Sequence, residues 1–186
     1  MGDDLVDNAT IDGRLARGAR RRAEIIEATI QLVEREGVAG VTHRAIASSL
    51  GVSPSALTHH FPTLDDLLTA ALTSGIIWGD AEFENVSSID HLAHILWLQM
   101  TSERKRLAAV YELYLLAARR PALRDAARGW VISLGKVARR LGADREGEWA
   151  MAAAVDGLGL QALLSDEGID ETEVTAVLHR AIGPAS

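Results

Sequence analysis

The 186-residue chain has no cysteine, so it can form no disulfide framework and offers no thiol nucleophile, which suits a reducing cytoplasm. Proline is scarce, at four residues, and aromatics make up only 4%. No apolar run reaches the roughly 18 residues of a membrane span. Met1 to Thr10 is acidic where a secretory signal would be basic. No segment alternates with period two, so no strand is expected, and no internal repeat is evident. The chain also lacks a nucleophile with a base at fixed spacing, a glycine-rich phosphate loop and a close pair of metal motifs. Neither a metal nor a cofactor is expected. What remains is a soluble, all-helical protein. At 48% hydrophobic it can bury one good core, or a small domain and a larger one sharing a helix.

The formal net charge of -7 argues against a nucleic-acid partner until its distribution is followed. Between Gly13 and Phe61, seven Arg (14, 17, 20, 21, 22, 35 and 44) face four Glu (24, 27, 34 and 36), for a local charge of +3. Residues 1–12 carry four Asp, and from Pro62 onward acids outnumber bases. A basic end on an acidic body directs phosphate to one face. An arginine-rich helix start that is merely solvated is the plainer alternative.

The stretch from Thr42 to Phe61, THRAIASSLGVSPSALTHHF, reads as two short helices joined by a turn of three residues. The Thr42 hydroxyl can accept from the free amides of His43 to Ala45, and Ile46 and Leu50 share one face. Ala47 and Gly51 are small enough for a second helix to cross closely, and Gly51 tolerates the left-handed conformation that ends a helix. Ser53 and Pro54 then supply an N-cap and a residue suited to the first turn. Leu57 points inward, Phe61 closes the end, and Ser55, Ala56, Thr58, His59 and His60 face out. A rigid outer face of small, hydrogen-bonding side chains is what a major-groove reader needs. Taken alone, the pattern also fits a helical hairpin with no ligand.

From Arg21 to Leu72, RRAEIIEATIQLVEREGVAGVTHRAIASSLGVSPSALTHHFPTLDDLLTAAL resembles the TetR family of transcriptional repressors. The remainder matches only as a helical chain of suitable length. The resemblance implies an all-α fold: a three-helix helix-turn-helix DNA-binding domain over 14–62 and a larger helical effector-binding and dimerisation domain over 63–186. The acidic stretch 1–13 is expected to be a disordered tail. Arg44 aligns with a family position that can read a guanine edge. Pro54, Ser55 and Ala56 occupy the base-facing helix start, where proline and alanine suit thymine methyls and only Ser55 offers polar readout. Thr42, Thr58, His59 and His60 are phosphate candidates, His59 reaching bases as well, and His43 and Ser53 belong to the same surface. Many members carry Tyr where Thr58 stands and Lys where Leu64 stands, so an arginine arm including Arg14, Arg17, Arg20 and Arg21 is the substitute for their phosphate contacts. The family reading also implies a homodimer on double-stranded DNA with a palindromic operator, cytoplasmic and nucleoid-associated when bound. Repression is the expected sign, since a protein on a promoter more readily blocks than recruits.

The helix opened by Thr63 and acidified at Asp65 and Asp66 runs to about Phe83, long enough to join the two domains. In the second domain, Trp78, Phe83, Trp97, Tyr111, Tyr114 and Trp130, with Gln99, Met100 and Leu134, are either plain core or the wall of an effector pocket. Glu82 or Glu112 would favour a cationic ligand there. Residues 145–165 carry apolar side chains around most of the helix, and such a helix must be covered nearly all round. A four-helix interface with a second copy is therefore expected, through Trp149, Ala152, Val155, Leu160 and Leu163 and, on the last helix, Val174, Val177 and Leu178. Gly157 and Gly159 would allow close approach. His91 and His94 are spaced for a metal, and with Glu112 they define a helical enzyme as the remote rival. A nearer rival is an effector-independent helix-turn-helix protein.

Overall fold

The computed structural model describes the backbone of residues 3–183, and side chains over 13–183 other than those of 14 and 77–82. Among these residues there are nine α-helices, two 3-10 turns (Val38–Gly40 and Pro121–Leu123) and no strand. The helices are α1 (Asp3–Glu36), α2 (His43–Ser49), α3 (Pro54–His60), α4 (Leu64–Phe83), α5 (Ile89–Thr101), α6 (Arg104–Leu116), α7 (Arg124–Arg140), α8 (Arg145–Leu164) and α9 (Glu171–Ile182). Among the described residues, no helix is long and apolar enough to cross a membrane.

Short-range chemistry sets most of the boundaries. The Thr42 hydroxyl accepts from the Ala45 amide at 3.0 Å and starts α2. Gly51, at φ +64°, ends it: the Val52 amide reaches back to the Ala47 carbonyl at 2.9 Å while the Gly51 amide bonds that of Ser48. The Ser53 hydroxyl then caps α3, with Pro54 in its first turn. Residues 50–53 lie between the two helices, one more than expected, because Leu50 has already left α2. Thr63 and Asp66 form a reciprocal box at the start of α4. Each side chain bonds the other residue's amide at 3.0 Å, and the Thr63 hydrogen bonds hold the Asp66 carboxyl below its ordinary pKa.

Two expectations change here. The helix preceding α2 was expected to begin after the acidic stretch 1–13, whereas α1 runs without a break from Asp3 through the arginines to Glu36. The cores also ignore a boundary at residue 62. Ile25, Ile30, Val33, Ile46, Leu57, Phe61, Leu68 and Leu72 are buried together with Ala109 and Leu113 of α6, with Ala117 just after it and with Leu123. The helix-turn-helix unit thus shares its core with α6. A second core joins Phe83 to α5, α7, α8 and α9 through Leu92, Leu96, Leu134, Met151, Val155, Val174 and Leu178.

Candidate functional site

Helix α3 lies with Leu57 fully buried beneath it and Pro54, Ser55, Ala56, Thr58 and His59 exposed above. The turn before it adds exposed Ser53, and α2 adds exposed Arg44 beside its cap Thr42. The Ser53 and Ser55 hydroxyls pair at 2.9 Å, and Thr58 Oγ1 donates to the Ser55 carbonyl at 3.1 Å, so these small side chains are already oriented. The His59 and His60 rings stand edge to face, 5.4 Å between centroids.

His43, expected on the outer surface, is half-buried, and its ring Nε2 donates to the Phe61 carbonyl at 3.0 Å. Its polar tip therefore holds the end of α3. Arg22 works on the same end: its guanidinium lies 4.1 Å above the Phe61 ring and donates to the His60 carbonyl at 3.0 Å. Arg21 pairs with Glu24 at 2.7 Å, while Arg17, Arg20 and Arg44 are exposed and have no ion pair among the described residues. The side chain of Arg14 lies outside the described residues.

Contacts from α6 carry this face into the rest of the molecule. Arg106 grips the Glu27 carboxylate of α1 with two bonds, 3.0 and 3.1 Å, and these hold the Glu27 pKa below its ordinary value. Glu112 accepts from the Val38 amide at 2.6 Å, in the turn between α1 and α2. Just beyond α6, Arg120 pairs with Asp65 at the start of α4 at 2.6 Å.

The neighbouring face of α6 lines a cavity of about 30 Å³. Its walls are Gly75 and Ile76 of α4, Gln99 of α5, Leu107, Val110, Tyr111 and Tyr114 of α6, and Trp130 of α7. Four of the ten residues expected in an effector pocket are here: Gln99, Tyr111, Tyr114 and Trp130. Phe83 backs the wall, its ring 5.8 Å from that of Trp130. Met100 and Leu134 are buried in the second core instead. Trp97 donates to the Ile169 carbonyl at 3.1 Å, in the seam between α5 and the chain leading into α9. Glu112 faces the opposite way, toward Val38. The side chains of Trp78 and Glu82 lie outside the described residues.

Asp156 was missed as a pocket residue, although it is the one acid inside the apolar run of α8. Trp130 Nε1 donates to its carboxylate at 2.8 Å and the Tyr111 hydroxyl at 3.3 Å. Burial raises the Asp156 pKa above its ordinary value, and the two donors offset this only in part. The same surroundings push the Tyr111 hydroxyl far up, through burial first and the Asp156 charge second.

On α8 the two sides separate. Ala152 and Val155 are buried in the chain's own core, as are Val174 and Leu178 of α9, so none of these four faces outward. Trp149 is 66% exposed and Leu164 84%, with Ala153 and Leu160 exposed between them and Gly157, Leu163 and Val177 half-buried. Gly159 serves the interior: a Cβ there would stand 2.5 Å from the Tyr111 hydroxyl, whereas one on Gly157 meets nothing within 4 Å. His94 donates to Glu171 at 2.9 Å, and among the described residues no group of three His, Asp or Glu could hold a metal.

Two family models match the chain: bacterial regulatory proteins of the tetR family over residues 25–71, and the tetracyclin repressor-like C-terminal domain over 87–184. The HTH-type nicotine-responsive transcriptional repressor HdnoR of Paenarthrobacter nicotinovorans is 31% identical over 116 residues, 58% of this chain and 60% of the repressor. The chain thus spans less than two thirds of that relative. A TetR-family member from Streptomyces coelicolor, SCO1917, superposes with a TM-score of 0.79 at 35% identity, covering 87% of this chain and 98% of its own. The multidrug binding protein EbrR, in complex with ethidium, superposes at 0.77 and 36% identity with the same coverage. EbrR structures complexed with proflavin and malachite green are similar as well.

Proposed function

The chain belongs to the TetR family of bacterial transcriptional regulators, and we propose that it acts as a homodimeric repressor released from a palindromic operator by a small molecule. The observation that carries this reading is the exposed side of α3, with Arg44 beside it, standing on a core that continues into α6. Ser55 and His59 are exposed toward base edges, and Arg17 and Arg20 supply charge for phosphate without first breaking an ion pair among the described residues. Two such faces must lie about 34 Å apart to meet successive major grooves of one duplex. The uncovered strip of Trp149, Ala153, Leu160 and Leu164 supports a second copy as the means of pairing them.

Release follows from how the cavity is walled. A drug-sized ligand needs about 300 Å³ or more, so the present space of about 30 Å³ must open before one enters. Opening displaces α4 from α6, and both also hold the reading unit: α4 follows α3 after only residues 61–63, and α6 holds Glu27 and Val38. A ligand that binds only the opened state shifts the population toward it, and about 1 to 3 kcal/mol of coupling suffices to lower operator affinity markedly. The similarity to EbrR and to a nicotine-responsive repressor supports a ligand-responsive protein. The small size of the cavity favours one rival, a DNA-binding protein that answers to no effector. Sequencing of genomic fragments retained by the purified protein, with and without added small molecules, tests both readings. A palindromic motif lost on ligand addition supports release, no motif sinks the DNA-binding reading, and a motif indifferent to every ligand favours the rival.

A further inference from the structure

We propose that the ligand is a flat organic cation, its body against Tyr111, Tyr114 and Trp130 and its charge balanced by the Asp156 carboxylate. The proposal rests on the ligand-responsive reading above and names the chemistry of that cavity.

Asp156 stands directly behind two edges of the wall. Trp130 and Tyr111 both line the cavity, and the indole N–H of one and the hydroxyl of the other both donate to the Asp156 carboxylate, at 2.8 and 3.3 Å. These are neutral donors, so they orient the charge without cancelling it. No Arg or Lys pairs with Asp156 among the described residues, although the charge is half-buried and its pKa is raised. A buried carboxylate without a counter-charge is costly, and a cation entering the cavity relieves that cost.

The remaining walls fit the same guest. Tyr111 and Tyr114 stand edge to face at 84°, ring centroids 6.3 Å apart, with the Trp130 ring facing the same space. Aromatic faces attract a cation that comes within about 6 Å of their centroids. Gln99, only 5% exposed, lines the cavity with its Nε2 lacking any partner. A half-turn of this amide exchanges a donor for an acceptor, so Gln99 can bond either a ring nitrogen or an N–H of the guest. An anion would be repelled by Asp156. A neutral aromatic would fill the space but leave the carboxylate uncompensated.

The test uses the purified full-length chain, an operator fragment and two tricyclic probes at slightly alkaline pH: proflavin, which is cationic there, and acridine, which is neutral. Wild type is expected to bind proflavin more tightly than acridine, and Asp156→Asn to lose about tenfold in proflavin affinity with acridine changed by less than about twofold. The asparagine oxygen can still accept from Trp130 and Tyr111, and a circular-dichroism spectrum and melting temperature close to those of wild type certify the fold of the variant. If acridine binds wild type as tightly as proflavin and releases the operator, the ligand-responsive reading stands and the cation proposal falls. If Asp156→Asn binds proflavin as wild type does, the proposal likewise falls. If neither probe nor an anionic dye binds or releases the operator, both are overturned.

Discussion

The carboxylate of Glu112 accepts a hydrogen bond from the Val38 amide at 2.6 Å, across 74 residues of sequence. Two positions along α6 in either direction lie residues of the cavity wall, Val110 and Tyr114, so one short helix touches both the ligand space and the turn leading into α2. Glu112→Ala is expected to cost little stability, about 1 kcal/mol or less, because water can serve the exposed amide. It should reduce the ratio of operator affinity without ligand to that with ligand. Glu112→Gln, which keeps an acceptor, should restore the ratio. An unaltered ratio in Glu112→Ala, read by fluorescence anisotropy, would remove α6 from the coupling route.

Arg44 is exposed at the start of α2 beside the α3 face. Arg44→Ala should weaken operator binding by about 1 to 3 kcal/mol and relax the motif at one position in each half-site. Arg17→Ala should weaken binding to all sequences alike and reduce the salt slope by about one. Selection of bound sequences from a random pool separates the two outcomes. An unchanged motif and affinity for Arg44→Ala would mean the reading surface lies elsewhere.

The two glycines of α8 should respond oppositely to alanine. Gly159→Ala drives a methyl group to 2.5 Å from the Tyr111 hydroxyl and should lower stability by about 1 to 3 kcal/mol. Gly157→Ala meets open space within the chain and should gain up to about 1 kcal/mol from helix propensity, provided a partner copy leaves room. Thermal unfolding of both variants, with sedimentation to follow association, reads the difference.

Sedimentation of the unaltered protein should give twice the 20.0 kDa chain mass. Replacing Leu160 and Leu164 together by Asp places charge on the strip left uncovered in one chain, and should yield the single-chain mass with operator binding lost. Wild type sedimenting as one chain would dispose of the dimer.

The Glu27–Arg106 clamp sets an acid limb to stability. Hydrogen bonds from Arg106 lower the Glu27 pKa in the folded state, so the folded protein releases this proton more readily than the unfolded chain. The contribution is therefore fully present above the ordinary glutamate pKa and is lost as pH falls through the lower folded value. Glu27→Gln should flatten that part of the stability curve while leaving the neutral-pH slope alone. The carboxylate is part-exposed, so solvent screening keeps the effect small.

The helix starts at Thr42, Ser53 and Thr63 and the glycine stop at Gly51 were legible in the sequence. Each depends on groups within about five residues of one another, where backbone geometry leaves little choice. The outward face of α3 was legible for the same reason: once Leu57 and Phe61 go inward, Ser55 and His59 have only solvent to face. Distance along the chain hid the rest. Nothing near His43 announces that its ring will bond Phe61, and nothing near Glu112 marks Val38 as its partner. On α8, apolar residues fill both sides, so periodicity could not say that Val155 goes inward and Leu160 outward; that depended on where α7 and α9 came to rest. Asp156 shows the division most plainly. Its presence in an apolar helix was visible from the outset, but its meaning came only when folding brought Trp130 and Tyr111, 26 and 45 residues away, to its carboxylate. Local bonding determines helices one turn at a time, whereas a binding site is made by surfaces that meet only when the whole chain has packed.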